Sequence, residues 1–303
     1  MTSNSGVEAD IEVDFEYFGE QRPSDVVGLT RRQIISFRKG VRSNIVFLNH
    51  PNAVLKIVNS LEPDELLAQL LVARFGVKVP RVYHAFITGG ALFILMEKIV
   101  GVPFEDYIRD HPEEEDAMLV ALTKPLLKMF SIPVPRSHGQ RPDAAGGGYL
   151  IHPFFSEFGD AYVEYKSIED LSRHINKILQ LHDRDKYVDF SREPKPEKLM
   201  FYYGDIHGGN FIVTPNKEIY VVDFGQTGFL PESFVAFTFF NTAFRTLLAQ
   251  KISELIDAES QEAQEMARFL KGLPRENVRA MQIASGRIRR TSEDFIAQLH
   301  EEL

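Results

Sequence analysis

The sequence predicts an α+β protein in two lobes, a small antiparallel-sheet lobe followed by a larger, mostly helical one. Three observations carry that expectation. Short β-rich runs divided by turn residues crowd into the first hundred positions. Apolar residues recur at helical spacing over 114–130, over 168–178 and from Pro231 onward. The 303 residues, 44% hydrophobic and 25% charged, suffice for one large packed unit plus a smaller one.

Residues 1–30 read as a weakly structured lead-in, and 31–99 as the sheet lobe. Within it 33–37, 44–48 and 53–58 read as three antiparallel strands. Lys39-Gly40 and Asn49-His50-Pro51-Asn52 divide them. A helix follows, with Ser60 as its cap, Pro63 in its first turn, and Leu66, Leu67, Leu70 and Leu71 at helical spacing. Stretches 82–86 and 92–96 are two further strands joined through Gly89-Gly90. A linker near 97–103 leads into the helical lobe, residues 100–303. There 114–130 reads as a helix kinked by Pro125. Residues 131–160 are loop-rich, with Gly146-Gly147-Gly148. Ser167-Ile-Glu-Asp170 resembles a capping box, opening a helix with Ile168, Leu171, Ile175 and Ile178 on one face. Stretches 211–214 and 218–222 form a hairpin about Pro215-Asn216-Lys217. Beyond Pro231 the chain is expected to be helical, with breaks near Ala258, at Gly272 to Pro274 and near Ser292.

Composition narrows the function. The net charge of −9 argues against nucleic acid, because phosphate contacts need a basic surplus. With Cys 0, a disulfide, a thiolate metal site and a Cys nucleophile are excluded. The N-terminus lacks the basic start and apolar run of a signal peptide, and no apolar stretch approaches a membrane span. A cytoplasmic protein without a membrane partner is expected; its oligomeric state is left open.

The most informative stretch is Tyr203-Gly-Asp-Ile-His-Gly-Gly-Asn210, followed by Phe-Ile-Val-Thr, a turn, and Ile219-Tyr-Val-Val-Asp-Phe-Gly225. A hairpin between Asn210 and Asp223 brings both to one edge of the loop, with Asp205 beside them. One carboxylate and one amide oxygen then converge. Hard oxygen donors of this kind suit Mg²⁺, which takes few protein ligands plus substrate phosphates.

These residues resemble the aminoglycoside phosphotransferase and choline kinase group of protein-kinase-like small-molecule kinases, fungal-type members most of all. There a Gly-Asp followed by His-x-Gly-Asn forms the catalytic loop, and Asp-Phe-Gly the metal loop. Tyr203 stands where His is common. The resemblance spans roughly residues 30–250 and implies a protein-kinase-like bilobal fold using ATP and Mg²⁺. By that resemblance Asp205 orients or deprotonates the acceptor hydroxyl, and Asn210 and Asp223 hold Mg²⁺ on the phosphates.

Chain order supports the resemblance. Ala53-Val-Leu-Lys-Ile57 puts Lys56 inside an apolar strand, where an unpaired ammonium is costly. The following helix offers Glu62, Asp64 and Glu65; Glu65 is the expected partner. Phe93-Ile-Leu-Met-Glu-Lys-Ile99 resembles the hinge, where backbone groups of Glu97 and Ile99 would bond adenine. Ser43 and Asn44 in Lys39-Gly-Val-Arg-Ser-Asn44 are candidate phosphate contacts, although this loop has one Gly and reads equally as an ordinary hairpin. The expected activity is ATP- and Mg²⁺-dependent phosphoryl transfer to a hydroxyl of a small molecule.

Competing readings are testable against the same residues. Gly204-Asp-Ile-His-Gly208 also resembles the first motif of binuclear metallophosphatases, but the later motifs of that family do not follow; His207 reads as loop-shaping. The alternative is a catalytically inactive kinase-like nucleotide-binding protein; the complete Lys/Asp/Asn/Asp set argues against it, because a degenerate kinase usually lacks one member. The aromatics Tyr149, Phe154, Phe155, Phe158, Tyr162 and Tyr165 read as core or as a substrate roof. Phe234, Phe237, Phe240 and Phe244 read as core. From residue 224 onward 11 acidic residues face 9 basic ones, so no acidic concentration suited to a polycation appears there.

Overall fold

The structure, a computed structural model, describes residues 11–288 apart from 42, 137–138, 140, 148, 156–160, 162, 183–184, 194–198, 241–242 and 256–259. The first lobe is a five-stranded antiparallel sheet in the order β1-β4-β5-β3-β2. Its strands are β1 (Phe15–Phe18), β2 (Ile45–Phe47), β3 (Ala53–Val58), β4 (Val82–Thr88) and β5 (Ala91–Glu97). Successive side chains alternate between faces. Leu55 and Ile57 of β3 enter a core with Ile34, Tyr83, Phe86 and Phe93. Val54 enters a second core with Leu66, Val82, Ile94 and Met96. Helix α2 (Asp64–Arg74) supplies Leu66, so it covers the face to which Lys56 belongs.

Three expectations for this lobe are corrected. Residues 33–37 are helical: α1 runs Arg31–Ser36. The Ile34-Ile35 pair suggested a strand, but Thr30 accepts from the Gln33 amide while Gln33 reaches back to the Thr30 amide. Within the expected lead-in, residues 15–18 pair with β4 as the edge strand. Glu16 holds them there, bonded to Arg31 at 2.9 Å and to His84 at 2.7 Å. Ser60 does not cap α2; its hydroxyl accepts from the Glu62 amide in the preceding turn.

The connection between lobes is shorter than expected. Residues 102–103 form β6 (Val102–Pro103), paired with β9 (Phe211–Val213), and α3 (Phe104–Asp110) follows at once. Helix α4 (Glu115–Phe130) runs on through Pro125. The expected hairpin is present as β9 and β10 (Ile219–Val221). A third sheet was not expected: β7 (Asp143–Ala144), β8 (Met200–Tyr203) and β11 (Thr227–Leu230), in the order β7-β11-β8. These runs are too short for a period to register in the sequence.

Helices α5 (Ile168–His182), α6 (Glu232–Phe240), α7 (Ala243–Glu254), α8 (Gln261–Lys271) and α9 (Arg275–Ile288) complete the lobe. Ser167 accepts from the Asp170 amide at the start of α5, as a cap should. The break near 272–274 is present, and those near Ala258 and Ser292 lie outside the described residues. Phe234 and Phe237 are fully buried in the large core, with Phe244 packed against it; Phe240 is partly exposed. Among the described residues no helix is long and apolar enough to cross a membrane.

Gly228 sits in the middle strand of the β7-β11-β8 sheet. A Cβ there would lie 2.4 Å from the Asp143 carbonyl and 2.8 Å from the Tyr202 ring. Neither neighbour is a flexible side-chain end. Gly228→Ala is therefore expected to destabilise the fold by about 2 kcal/mol, read as a lower urea midpoint with unchanged slope.

Candidate active site

Strand alternation turns Lys56 away from the Leu55/Ile57 core and toward α2. There its ammonium pairs with Glu65 and lies 3.0 Å from Asp223. Lys56 and Glu65 are 4% and 5% exposed, so neither charge is solvated. Burial alone would lower the Lys56 pKa, but the Glu65 and Asp223 carboxylates outweigh it and hold the ammonium charged. Burial raises the Glu65 carboxyl, and the nearby Asp223 adds to that while Lys56 opposes it. Two carboxylates share one ammonium, which leaves an excess of negative charge on the more open Asp223, 41% exposed at its side chain.

The hairpin positions the remaining members. Val222 N–H donates to the Asn210 carbonyl at 3.0 Å, which sets Asp223 one residue beyond Asn210. Asp223 has φ 65, the left-handed region that few residues other than Gly adopt. The Asn210 amide nitrogen donates to the Asp205 carbonyl and to its carboxylate oxygen Oδ2, both at 2.9 Å. That leaves the Asn210 carbonyl oxygen for another partner. An amide oxygen and a carboxylate on adjoining segments are the donor chemistry a Mg²⁺ ion takes, so the residues present fit that ion.

Several groups fix this loop pair. The Tyr203 hydroxyl donates to the Val222 carbonyl at 2.6 Å, joining the end of β8 to the approach to Asp223. This gives the tyrosine at the usual His position a definite structural task. The Gly204 amide donates to the Gln226 carbonyl, and the Thr227 hydroxyl to that of Phe224. His207 Nδ1 accepts from the Gly209 amide at 3.1 Å, as a loop-shaping residue should, and its Nε2 lies 3.4 Å from Asp205.

The structure thus brings Lys56, Glu65, Asp205, Asn210 and Asp223 into one connected cluster. Ser43 and Asn44 do not join it. The Ser43 hydroxyl accepts from the Ile45 amide, and the Asn44 carbonyl from the Ile57 amide. Both are exposed, and Arg42 between Val41 and Ser43 lies outside the described residues. At the expected hinge, the Glu97 amide is committed to the Arg81 carbonyl and its carboxylate to the Arg81 guanidinium. A base could meet only its carbonyl. Ile99 is half-buried beside it. Phe154, Phe155 and Tyr165 are core residues, Tyr149 is exposed, and Phe158 and Tyr162 lie outside the described residues.

Sequence reasoning missed Arg245, whose guanidinium Nη2 lies 3.8 Å from Asp205. The available signal was a lone cation in the apolar run 234–249. It also missed the packing of Gly146 on the start of α2, where a Cβ would come within 2.4 Å of the Asp64 backbone. That contact ties the loop after β7 to the turn that presents Glu65.

With this geometry in view, the sequence profile described as "Phosphotransferase enzyme family" matches residues 34–233. Among solved structures the chain is similar to a thermostable mutant of aminoglycoside phosphotransferase APH(4)-Ia, apo form. The identity is 15%, over 86% of this chain and 91% of that chain, with a TM-score of 0.44. APH(3'')-Id from Streptomyces rimosus, in complex with ADP and streptomycin, is 13% identical over 82% and 91%, with a TM-score of 0.42. ADP-bound APH(2'')-Ib is 13% identical over 90% and 96%, with a TM-score of 0.44. No curated protein matches the chain.

Asp64, next to Glu65, offers a pH test of this corner. Burial, then Glu62 and Asp143, push its carboxyl up to about 6 from 3.8. A carboxyl raised on folding favours the folded state while protonated, and that advantage is lost as pH rises through about 6. Because Asp64 is partly solvated, the expected effect is discounted to about 1 kcal/mol. Asp64→Asn should exceed the parent in stability by that amount at pH 8, and the difference should vanish by pH 3, below the unfolded value of 3.8. Urea midpoints at both pH values check it; a constant difference contradicts it.

Proposed function

The chain belongs to the phosphotransferase enzyme family, and on that premise we propose that it transfers the γ-phosphoryl group of ATP to a hydroxyl of a small molecule, with Mg²⁺. The observation that carries the reading is the connected set of Lys56, Glu65, Asp223, Asn210 and Asp205. Lys56, held charged by Glu65 and Asp223, grips the nucleotide phosphates. Asn210 and Asp223 would hold Mg²⁺, which when bound neutralises charge on the transferring phosphoryl group. Asp205 accepts the hydrogen of the acceptor hydroxyl and turns its oxygen toward the phosphorus. Asn210 keeps the Asp205 carboxylate from rotating away, so the loop supplies orientation in advance of binding. The Glu97 carbonyl and the Ile99 amide meet the adenine edge.

The acceptor is a small molecule because the span between Gly225 and α6 is too short to form a platform for a polypeptide. Residues 227–230 are consumed by β11, and α6 begins directly after Pro231. The balance of acidic and basic residues beyond residue 224 does not favour a polycationic acceptor.

ATP consumption with a panel of hydroxyl-bearing metabolites tests the reading and identifies the acceptor. Asp205→Asn should lower kcat about 10²- to 10⁴-fold while leaving nucleotide affinity nearly unchanged. Turnover close to that of the parent would remove Asp205 from the mechanism. Asp223→Ala should abolish the Mg²⁺ dependence of ADP binding, measured by titrating the metal against nucleotide affinity; an intact dependence would remove Asp223 as a metal ligand.

A further inference from the structure

Arg245 lies in the first turn of α7 and is 5% exposed. Its Nε donates to the carbonyl of Ile206 at 2.9 Å. Its Nη2 stands 3.8 Å from Oδ1 of Asp205. Its Nη1 is buried without a hydrogen-bond partner among the described residues. An arginine stays protonated in proteins, so a full charge is enclosed here. Burial pulls its pKa below the ordinary arginine value, and Asp205 is the principal group opposing that.

As a stabilising element this arrangement is poor. A buried cation repays its desolvation only with close geometry and all its donors paired. Here the carboxylate is beyond hydrogen-bond distance and one donor is idle. The two oxygens of Asp205 are nevertheless distinguished. Oδ2 accepts from Asn210 and faces His207. Oδ1 faces Arg245 across that 3.8 Å gap.

We propose that Arg245 is the positioning residue for Asp205: its guanidinium spans the carbonyl of the next residue, Ile206, and the Oδ1 side of the Asp205 carboxylate. The inference rests on the reading of Asp205 given above. The planar fork addresses a backbone carbonyl and a carboxylate at once, which a lysine ammonium cannot do from one point. The fork closes on Oδ1 when an acceptor hydroxyl donates to the same oxygen, because hydrogen bonds at such sites tighten in the reacting complex. Asn210 and Arg245 together hold the carboxylate from its two sides.

The test uses the full chain, Mg-ATP and water as the acceptor, with release of inorganic phosphate as the readout. Arg245→Gln and Arg245→Met should lower kcat about 10²-fold, with KM for ATP and affinity for ADP changed less than about threefold. Arg245→Lys, keeping the charge without the fork, should recover about tenfold of that loss. Adding Arg245→Gln to Asp205→Asn should cost nothing further, because two residues acting as one unit are not additive. Unchanged kcat in the folded variants, additive losses, or a parallel loss of ADP affinity each overturn the proposal. Should the Gln and Met variants fail to fold, Arg245→Lys decides, and a kcat equal to the parent's overturns it.

If Asp205→Asn is impaired and the Arg245 variants are not, only this proposal falls. If Asp205→Asn hydrolyses ATP normally, the reading of Asp205 falls and takes the proposal with it. If the parent releases no phosphate to water, ¹⁵N NMR of the Arg245 guanidinium decides. Its protons should exchange slowly in the parent and faster in Asp205→Asn; equal rates overturn the proposal.

Discussion

Lys56 cannot be buried alone, and much of the site's arrangement follows from that. It sits in β3 between Ile45 and Ile94 on the neighbouring strands, so the sheet itself puts apolar side chains on both its flanks. A charge so placed must be met by carboxylates brought from elsewhere. Glu65 comes from the helix that covers the sheet, and Asp223 from a loop of the other lobe. One side chain therefore joins the sheet, α2 and the end of β10. The same electrostatics leave Asp223 with unbalanced negative charge on the open side, where a divalent cation is the natural complement.

The loop that carries Asp223 has little freedom. Tyr203, Gly204 and Thr227 bind it at Val222, Gln226 and Phe224 in turn. Phe224 is buried, ring against ring with Tyr203 at 5.9 Å. The residues after it enter β11 immediately. A loop held on both flanks presents its carboxylate in one geometry, which suits chemistry that depends on positioning more than on covalent steps. The left-handed backbone at Asp223 is maintained by these surrounding contacts.

Charge also crowds around Asp205 at the other end of the cluster. Asn210, His207 and Arg245 approach that carboxylate from three segments of the chain. The α3 helix closes the far side of the loop, since Gly208 lies against Glu105 with no space for a Cβ. The site is thus built from a short loop whose every neighbour is already in place.

Much of what local sequence carried was legible. The chain's two-part organisation, the 211–222 hairpin and the convergence of Asp205, Asn210 and Asp223 follow from short β-rich runs and a tight turn; the cost of an unpaired ammonium called for a carboxylate beside Lys56, and the family resemblance pointed to Glu65. Thr30-x-x-Gln33 was also a local signal, and two β-branched neighbours masked it. The strands β1, β7, β8 and β11 were not legible, because segments of two to four residues have no period and exist only through partners distant in sequence. Arg245 was beyond reach for the same reason. A lone arginine in the apolar run 234–249 has no meaning until the fold sets it within 4 Å of Asp205, 40 residues away in the chain. Sequence by itself determined which charges had to be paired. Tertiary structure decided which other groups crowd around them, since side-chain approach across non-consecutive elements depends on packing and leaves no mark on spacing.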